Sequence, residues 1–117
     1  MSETPDLLVM ESEWTRPGER AMPHVHPGME ETWSVLEGRG AFRIGDAGVV
    51  EAGPGEVVVA PAGVPHAAWN PTEETVRLRI EMRPALRWRE FVERLFGAGG
   101  VPTRDLLRDF AREVAPP

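Results

Sequence analysis

Between residues 1 and 84 no apolar run goes far before a glycine or proline stops it, and these two residues make up about a fifth of that stretch. Glycine frees φ and proline withholds an N–H, so whatever regular elements form there must be short. The runs between the stops are DLLVMESEW (6–14), ETWSVL (31–36), GAFRIG (40–45), GVVE (48–51), EVVVA (56–60), HAAW (66–69) and TVRLRIEMR (75–83). In the last, Val76, Leu78, Ile80 and Met82 alternate with Arg77, Arg79, Glu81 and Arg83, the period of a half-buried strand. In the first, Leu8, Met10, Ser12 and Trp14 share a face. Evenly spaced short strands of this kind predict an all-β sandwich or barrel.

After Pro84 the period changes. Trp88, Phe91, Val92, Leu95 and Phe96 repeat at helical spacing until GAGG at 97–100. A second helix is predicted from Thr103, an N-cap, through Leu106, Leu107, Phe110, Ala111 and Val114 to the final prolines. The expected organisation is a barrel over 1–84 and a helical extension of the same domain over 85–117. The helices are expected to cover the barrel's outside or a dimer interface, with Trp88, Phe91 and Phe96 exposed; a lid over a pocket is the alternative.

The residues this chain lacks narrow its chemistry. It has no Cys, Lys or Tyr in 117 residues, which excludes disulfides, thiolate metal sites, Schiff-base chemistry and a P-loop lysine. A net charge of −6 with interleaved signs argues against nucleic acid and anionic membranes as partners. No apolar run reaches the roughly 18 residues of a membrane span, and no basic, apolar leader opens the chain, so a cytoplasmic location is expected.

All three histidines lie in two unusual stretches, HVHPGMEE (24–31) and PAGVPH (61–66). On a strand, His24 and His26 point to one face; on a helix they would diverge by about 200°. A turn at 27–29 then delivers a carboxylate to the start of an apolar strand, where burial is costly unless the charge is paired or coordinated. His66 follows a Pro-Ala-Gly-Val-Pro turn, so three imidazoles and one acid can meet on one sheet face. The plainer alternative makes His66 a hydrogen-bonded core residue and Glu30 and Glu31 an exposed pair. Three imidazoles and a carboxylate would suit a divalent first-row ion, with no soft ligand to select copper(I), and four protein ligands on an octahedral ion leave two positions open.

The spacing in these stretches resembles that of the cupin superfamily. Gly18, His24, His26, Glu31 and Gly38 match its first motif with every gap, and Gly55, Pro61, Gly63, His66 and Asn70 match its second. The 16 residues between Gly38 and Gly55 fit a small single-domain microbial cupin of the conserved barrel type. The resemblance implies an antiparallel double-stranded β-helix (jelly-roll) barrel followed by two C-terminal α-helices. It also implies a metal held by His24, His26, Glu31 and His66, with Glu31 chosen over Glu30 by its distance from Gly38, and Asn70 in a turn. The expected metal is Fe(II) or Mn(II), with Zn, Ni, Co or Cu(II) also compatible.

By alternation Trp33, Val35 and Ala68 point inward and Trp69 outward, where the C-terminal helices are expected to cover it. Trp33, Phe42 and Met82 are the expected walls of a substrate pocket, with Ile44 and Ile80 beside them. The expected function is an enzyme acting on a small oxygen-chelating substrate, dioxygenase-like. The alternatives are a non-redox isomerase or polyketide-cyclase-like enzyme and a non-catalytic binding or sensing module. The general base in view is a metal-bound hydroxide, or a carboxylate such as Glu30 or Glu13 reaching inward. A homodimer is expected.

Overall fold

The computed structural model describes residues 1–19, 22–97 and 99–117. Eight strands form in chain order: β1 Ser2–Thr4, β2 Leu7–Trp14, β3 Glu30–Glu37, β4 Gly40–Ile44, β5 Val49–Ala52, β6 Val57–Ala60, β7 His66–Trp69 and β8 Val76–Arg83. Seven of them coincide with the apolar runs between the Gly and Pro stops. The eighth, β1, is Ser-Glu-Thr, fully exposed and without alternation; it exists because its backbone pairs with Leu7–Val9 of β2.

The strands make two antiparallel sheets, one ordered β1-β2-β8-β3-β6 and the other β5-β4-β7. Their inner faces enclose Trp14, Trp33, Val35, Phe42, Ala52, Ala60, Ala68, Val76 and Leu78. Trp14, Trp33, Val35, Phe42, Ala68, Val76 and Leu78 are among the inward residues expected from alternation, and Ala52 and Ala60 add the ends of β5 and β6. Register then fixes neighbours. Glu31 stands opposite Ala60 on β6 and Met82 on β8, while Ile44 stands opposite His66 and Phe42 opposite Ala68.

Two motif residues hold the frame. Gly38 turns β3 into β4 with φ +77°, and a Cβ there would lie 2.6 Å from the Thr75 carbonyl oxygen, so only glycine fits. Asn70 is buried as a turn residue. Its amide donates to the carbonyls of Trp14 at 3.0 Å and Glu74 at 2.7 Å, and its oxygen accepts from the Thr72 N–H and hydroxyl.

The C-terminal helices are α1, Trp88–Gly97, and α2, Arg104–Asp109. Thr103 caps α2 as predicted, its hydroxyl accepting from the Leu106 N–H at 3.1 Å. The helix is shorter than its apolar pattern suggests. Phe110 leaves helical geometry, Glu113 and Val114 both donate to its carbonyl, and Ala115 then pairs with Val25. Tertiary contacts prevail over periodicity: Phe91, Leu106, Phe110 and Val114 form a small core that a straight helix to the prolines would not close. Phe91 is therefore buried and Trp88 half-buried; of the three aromatics expected at the surface, Phe96 alone is exposed, at 55%. Among the described residues no helix is long and apolar enough to cross a membrane.

Candidate metal centre

His24 and His26 belong to no regular strand, yet their segment is extended and flanked on both edges. His24 exchanges backbone hydrogen bonds with His66 at 2.9 and 2.8 Å, and Val25 exchanges them with Ala115 at 3.0 and 2.9 Å. The Gly63 N–H, from the turn before His66, closes on the His26 carbonyl at 2.8 Å. Extended backbone sends side chains 24 and 26 to the same side, as the two-residue spacing requires. Glu31 is the second residue of β3 and His66 the first of β7, and both face inward.

The four side chains meet. One ligating atom from each of His24, His26, Glu31 and His66 lies within 4.8 Å of all the others, and His24 alone of the four is not buried. Ring centroids of the three histidines are 4.6 to 4.9 Å apart. Each imidazole has its Nδ1 on a backbone carbonyl: His24 on Met22 at 3.0 Å, His66 on Val64 at 3.3 Å, and His26 on Glu113 at 2.8 Å. A carbonyl only accepts, so Nδ1 carries the proton and the Nε2 lone pair faces the cluster.

This arrangement calls for a cation. Nε2 of His26 and of His66 lie 2.9 and 3.2 Å from the same Glu31 oxygen, Oε1. A lone pair of a neutral imidazole against a carboxylate oxygen repels, so the contacts become favourable only with a proton or a metal ion between them. Donors about 2.1 Å from one ion stand at most about 4.2 Å apart, so shifts of a few tenths of an ångström would close the cluster on a single ion. The residues present fit a divalent metal. Without a metal the missing cation is a proton: burial opposes the Glu31 carboxylate, but hydrogen bonds donated by protonated His26 and His66 prevail and hold its pKa down to about 2. Burial, then the neighbouring His26 and His66, lowers His24 to about 4.

Of the expected pocket residues, Trp33 sets its indole edge-on to His66, with centroids 5.3 Å apart. Phe42 packs on Trp33 at 5.1 Å. Met82 lies beside Glu31 by register and fills an apolar cluster with Leu8, Met29 and Ala85. Trp69 points outward and lines a surface groove with Pro23, Arg43 and Pro65, while the helices approach the centre elsewhere, through Trp88. The two acids considered as a base stay outside. Glu30 is one residue from Glu31 and so on the opposite face of β3, and Glu13 pairs with Arg77 on the surface at 3.7 Å.

Residues 15–82 match the cupin domain family. The chain is a cupin. Among solved structures, this cupin is similar to an uncharacterised conserved protein with a double-stranded β-helix domain from Klebsiella pneumoniae, at 28% identity and TM-score 0.64 over 73% of each chain. It is similar also to TT1209 from Thermus thermophilus, at 28% identity and TM-score 0.65, over 71% of this chain and 77% of that one. A third likeness is to a structure of the DMSP lyases RdDddP and RnDddQII, with 28% identity and TM-score 0.58; it covers 68% of this cupin and 39% of that chain. No curated protein matches this cupin.

Two contributors to the centre of this cupin carry no sequence signal. The Glu113 carbonyl is a backbone atom 87 residues from the histidine it holds. Trp88, whose ring meets His26 edge-on at 4.7 Å, reads in the sequence as one more apolar position on a helix.

Proposed function

We propose that this cupin binds one divalent first-row metal ion through His24, His26, Glu31 and His66, and that it is an enzyme acting on a small molecule that chelates through oxygen. The observation that carries this is the convergence of three imidazoles, each with its Nδ1 already engaged, on one buried carboxylate: ligating atoms of all four residues lie within 4.8 Å of one another, and Nε2 of His26 and of His66 lie 2.9 and 3.2 Å from Glu31 Oε1. Fe(II) or Mn(II) is the favoured ion for a site of nitrogen and oxygen donors without thiolate. When bound, such an ion supplies Lewis acidity and, if redox-active, a path for electrons to dioxygen.

The chain's own residues do the rest. Glu31 brings the negative charge, and the carbonyls of Met22, Val64 and Glu113 keep each ring in one tautomer. Trp33, Phe42 and Met82 form apolar walls that exclude water, which strengthens the site's electrostatics. His24, the one partly exposed member, marks the side from which a substrate arrives. With Glu30 and Glu13 facing away, neither of these carboxylates stands ready to take a proton from a bound substrate. That favours a dioxygenase-like reaction over a proton-transfer isomerisation or cyclisation. Lyase chemistry is the second reading, supported by the 28% likeness to the DMSP lyase structure.

Metal content decides the first step. Protein purified without a tag or a nickel column is expected to carry about one equivalent of iron or manganese by mass spectrometry, and His66→Ala to lose it. The loaded protein should then consume oxygen with bidentate oxygen donors such as 1,3-diketones or α-hydroxy acids. Equal metal content in His66→Ala would refute the ligand set. One equivalent of metal without oxygen uptake would move the function to lyase or isomerase chemistry.

A further inference from the structure

The Nδ1 partners of the three histidines are not alike. His24 and His66 each use the carbonyl two residues before them, Met22 and Val64, so their own loops orient them. His26 has no such local partner. Its Nδ1–H goes to Glu113, in the segment that follows α2, at 2.8 Å, the shortest of the three.

The same segment supplies the other edge of the histidine strand. Ala115 exchanges both backbone hydrogen bonds with Val25, so the piece of chain that carries both ligands lies between His66 of the barrel and Ala115 of the extension. Glu113 is itself pinned. It is 2% exposed, and its carboxylate accepts from the Arg87 N–H at 3.3 Å, just ahead of α1. Trp88, the first residue of α1, closes the remaining side of the His26 ring. What docks all this is the small core of Phe91, Leu106, Phe110 and Val114, with the Arg87 guanidinium 4.3 Å from the centre of the Phe110 ring.

We infer that residues 113–115 are a positioning element of the metal centre: Glu113 fixes the tautomer and orientation of His26, so docking of the C-terminal segment and occupation of the site are coupled. The inference rests on metal binding at His24, His26, Glu31 and His66. Undocked, the His26 ring is free to rotate and to place its proton on either nitrogen, and half of its orientations turn the lone pair away from Glu31. Loss of such an outer partner typically weakens metal affinity about 10- to 100-fold. By linkage, the factor by which docking tightens metal binding is the factor by which metal tightens docking.

The test uses the full chain with Zn(II) and Mn(II) alone, titrated in competition with a chelator. Phe110→Ala empties the centre of the docking core and should weaken both metals about tenfold or more, while Phe110→Leu recovers most of the loss. Val76→Ala is the control. It removes packing six residues along β8 from Met82, about 20 Å away, and should leave affinity unchanged while lowering stability. Ala115→Pro deletes the N–H that Val25 accepts, touches none of the core side chains, and should weaken binding severalfold. On the wild-type protein, hydrogen exchange should show the Val114 and Ala115 amides slowed by saturating Zn(II), by a factor close to the affinity ratio. If Phe110→Ala does not fold, Ala115→Pro and the exchange rates decide. Wild-type metal binding with unchanged affinity in the variants and unchanged exchange would overturn the positioning role and leave the metal site standing. A wild-type chain that takes up neither metal would overturn both.

Discussion

At the scale of single residues, the centre is a set of groups kept from protonating by their surroundings. His24 is held at about 4 against 6.5 in an unfolded chain, and Glu31 at about 2 against 4.5. Both values are lowered by folding, so between the folded and unfolded values the unfolded chain binds more protons and stability rises with pH. Metal-free protein should therefore keep its melting temperature above pH 6.5 and lose it as pH falls toward 4, with Glu31 extending the loss from 4.5 toward 2. Melting curves in the presence of a chelator measure this, and His24→Gln should flatten the upper part of the fall. A melting temperature constant from pH 6.5 to 4 would contradict the environment described for His24. With metal, Glu31→Gln keeps the side chain's shape and removes its charge; a weakening of Zn(II) binding of about 10-fold or more is expected from chelator competition. The cluster of His24, His26, Glu31 and His66 was legible in the sequence because alternation and two fixed spacings carry side-chain information. The Glu113 carbonyl was not, since every residue has one and only the closed fold says which is used.

At the scale of elements, legibility followed the source of stability. Strands β2, β3 and β8 bury alternate residues and write a period of two into the sequence, while the shorter β4 to β7 are legible as apolar runs between Gly and Pro stops. The short β1 owes its existence to backbone pairing alone and leaves no such trace. The second helix shows the converse, an apolar pattern longer than the helix, because Phe110 and Val114 serve a core that the bent chain closes better than a straight one. Turns divide in the same way. Gly38 and Gly48 both have φ near +80°, but an added Cβ meets the Thr75 carbonyl at Gly38 and nothing within 4 Å at Gly48. Gly48→Ala should cost about 1 kcal/mol, the penalty of the left-handed backbone alone. Gly38→Ala should cost roughly 3 kcal/mol or more, because backbone must also move. Urea denaturation of the two variants measures the difference, and equal losses would show that the 38–75 contact yields easily.

At the scale of the whole molecule, one corner stands out as unfinished. Val49 and Val50 on β5 and Val57 and Val59 on β6, joined by the turn at 53–56, are each 43 to 57% exposed. Strand β6 ends the larger sheet and β5 the smaller, so backbone groups line the same corner. Exposed apolar residues on edge strands favour pairing with another chain, and the one charge on β5, Glu51, is paired with Arg39 at 3.2 Å. We propose this corner as the seam of the expected homodimer: light scattering behind size exclusion should give twice the mass of 13.0 kDa, and Val57→Lys with Val59→Lys should return it to one. A wild-type monomer at high concentration would remove this corner from consideration.

The contacts that close the centre also differ in how much chain each must loop. His26 reaches Glu31 across 5 residues, Glu31 reaches His66 across 35, and His26 reaches Glu113 across 87. Loop closure grows costlier with length, and distant pairings form late in folding. A refolding chain should thus make the His26–Glu31 contact early, the Glu31–His66 contact later, and the hold on His26 last. Its grip on the proposed metal ion should rise in the same steps, so that a bound ion would be captured firmly by a nearly finished barrel and would do little to speed the collapse that precedes it.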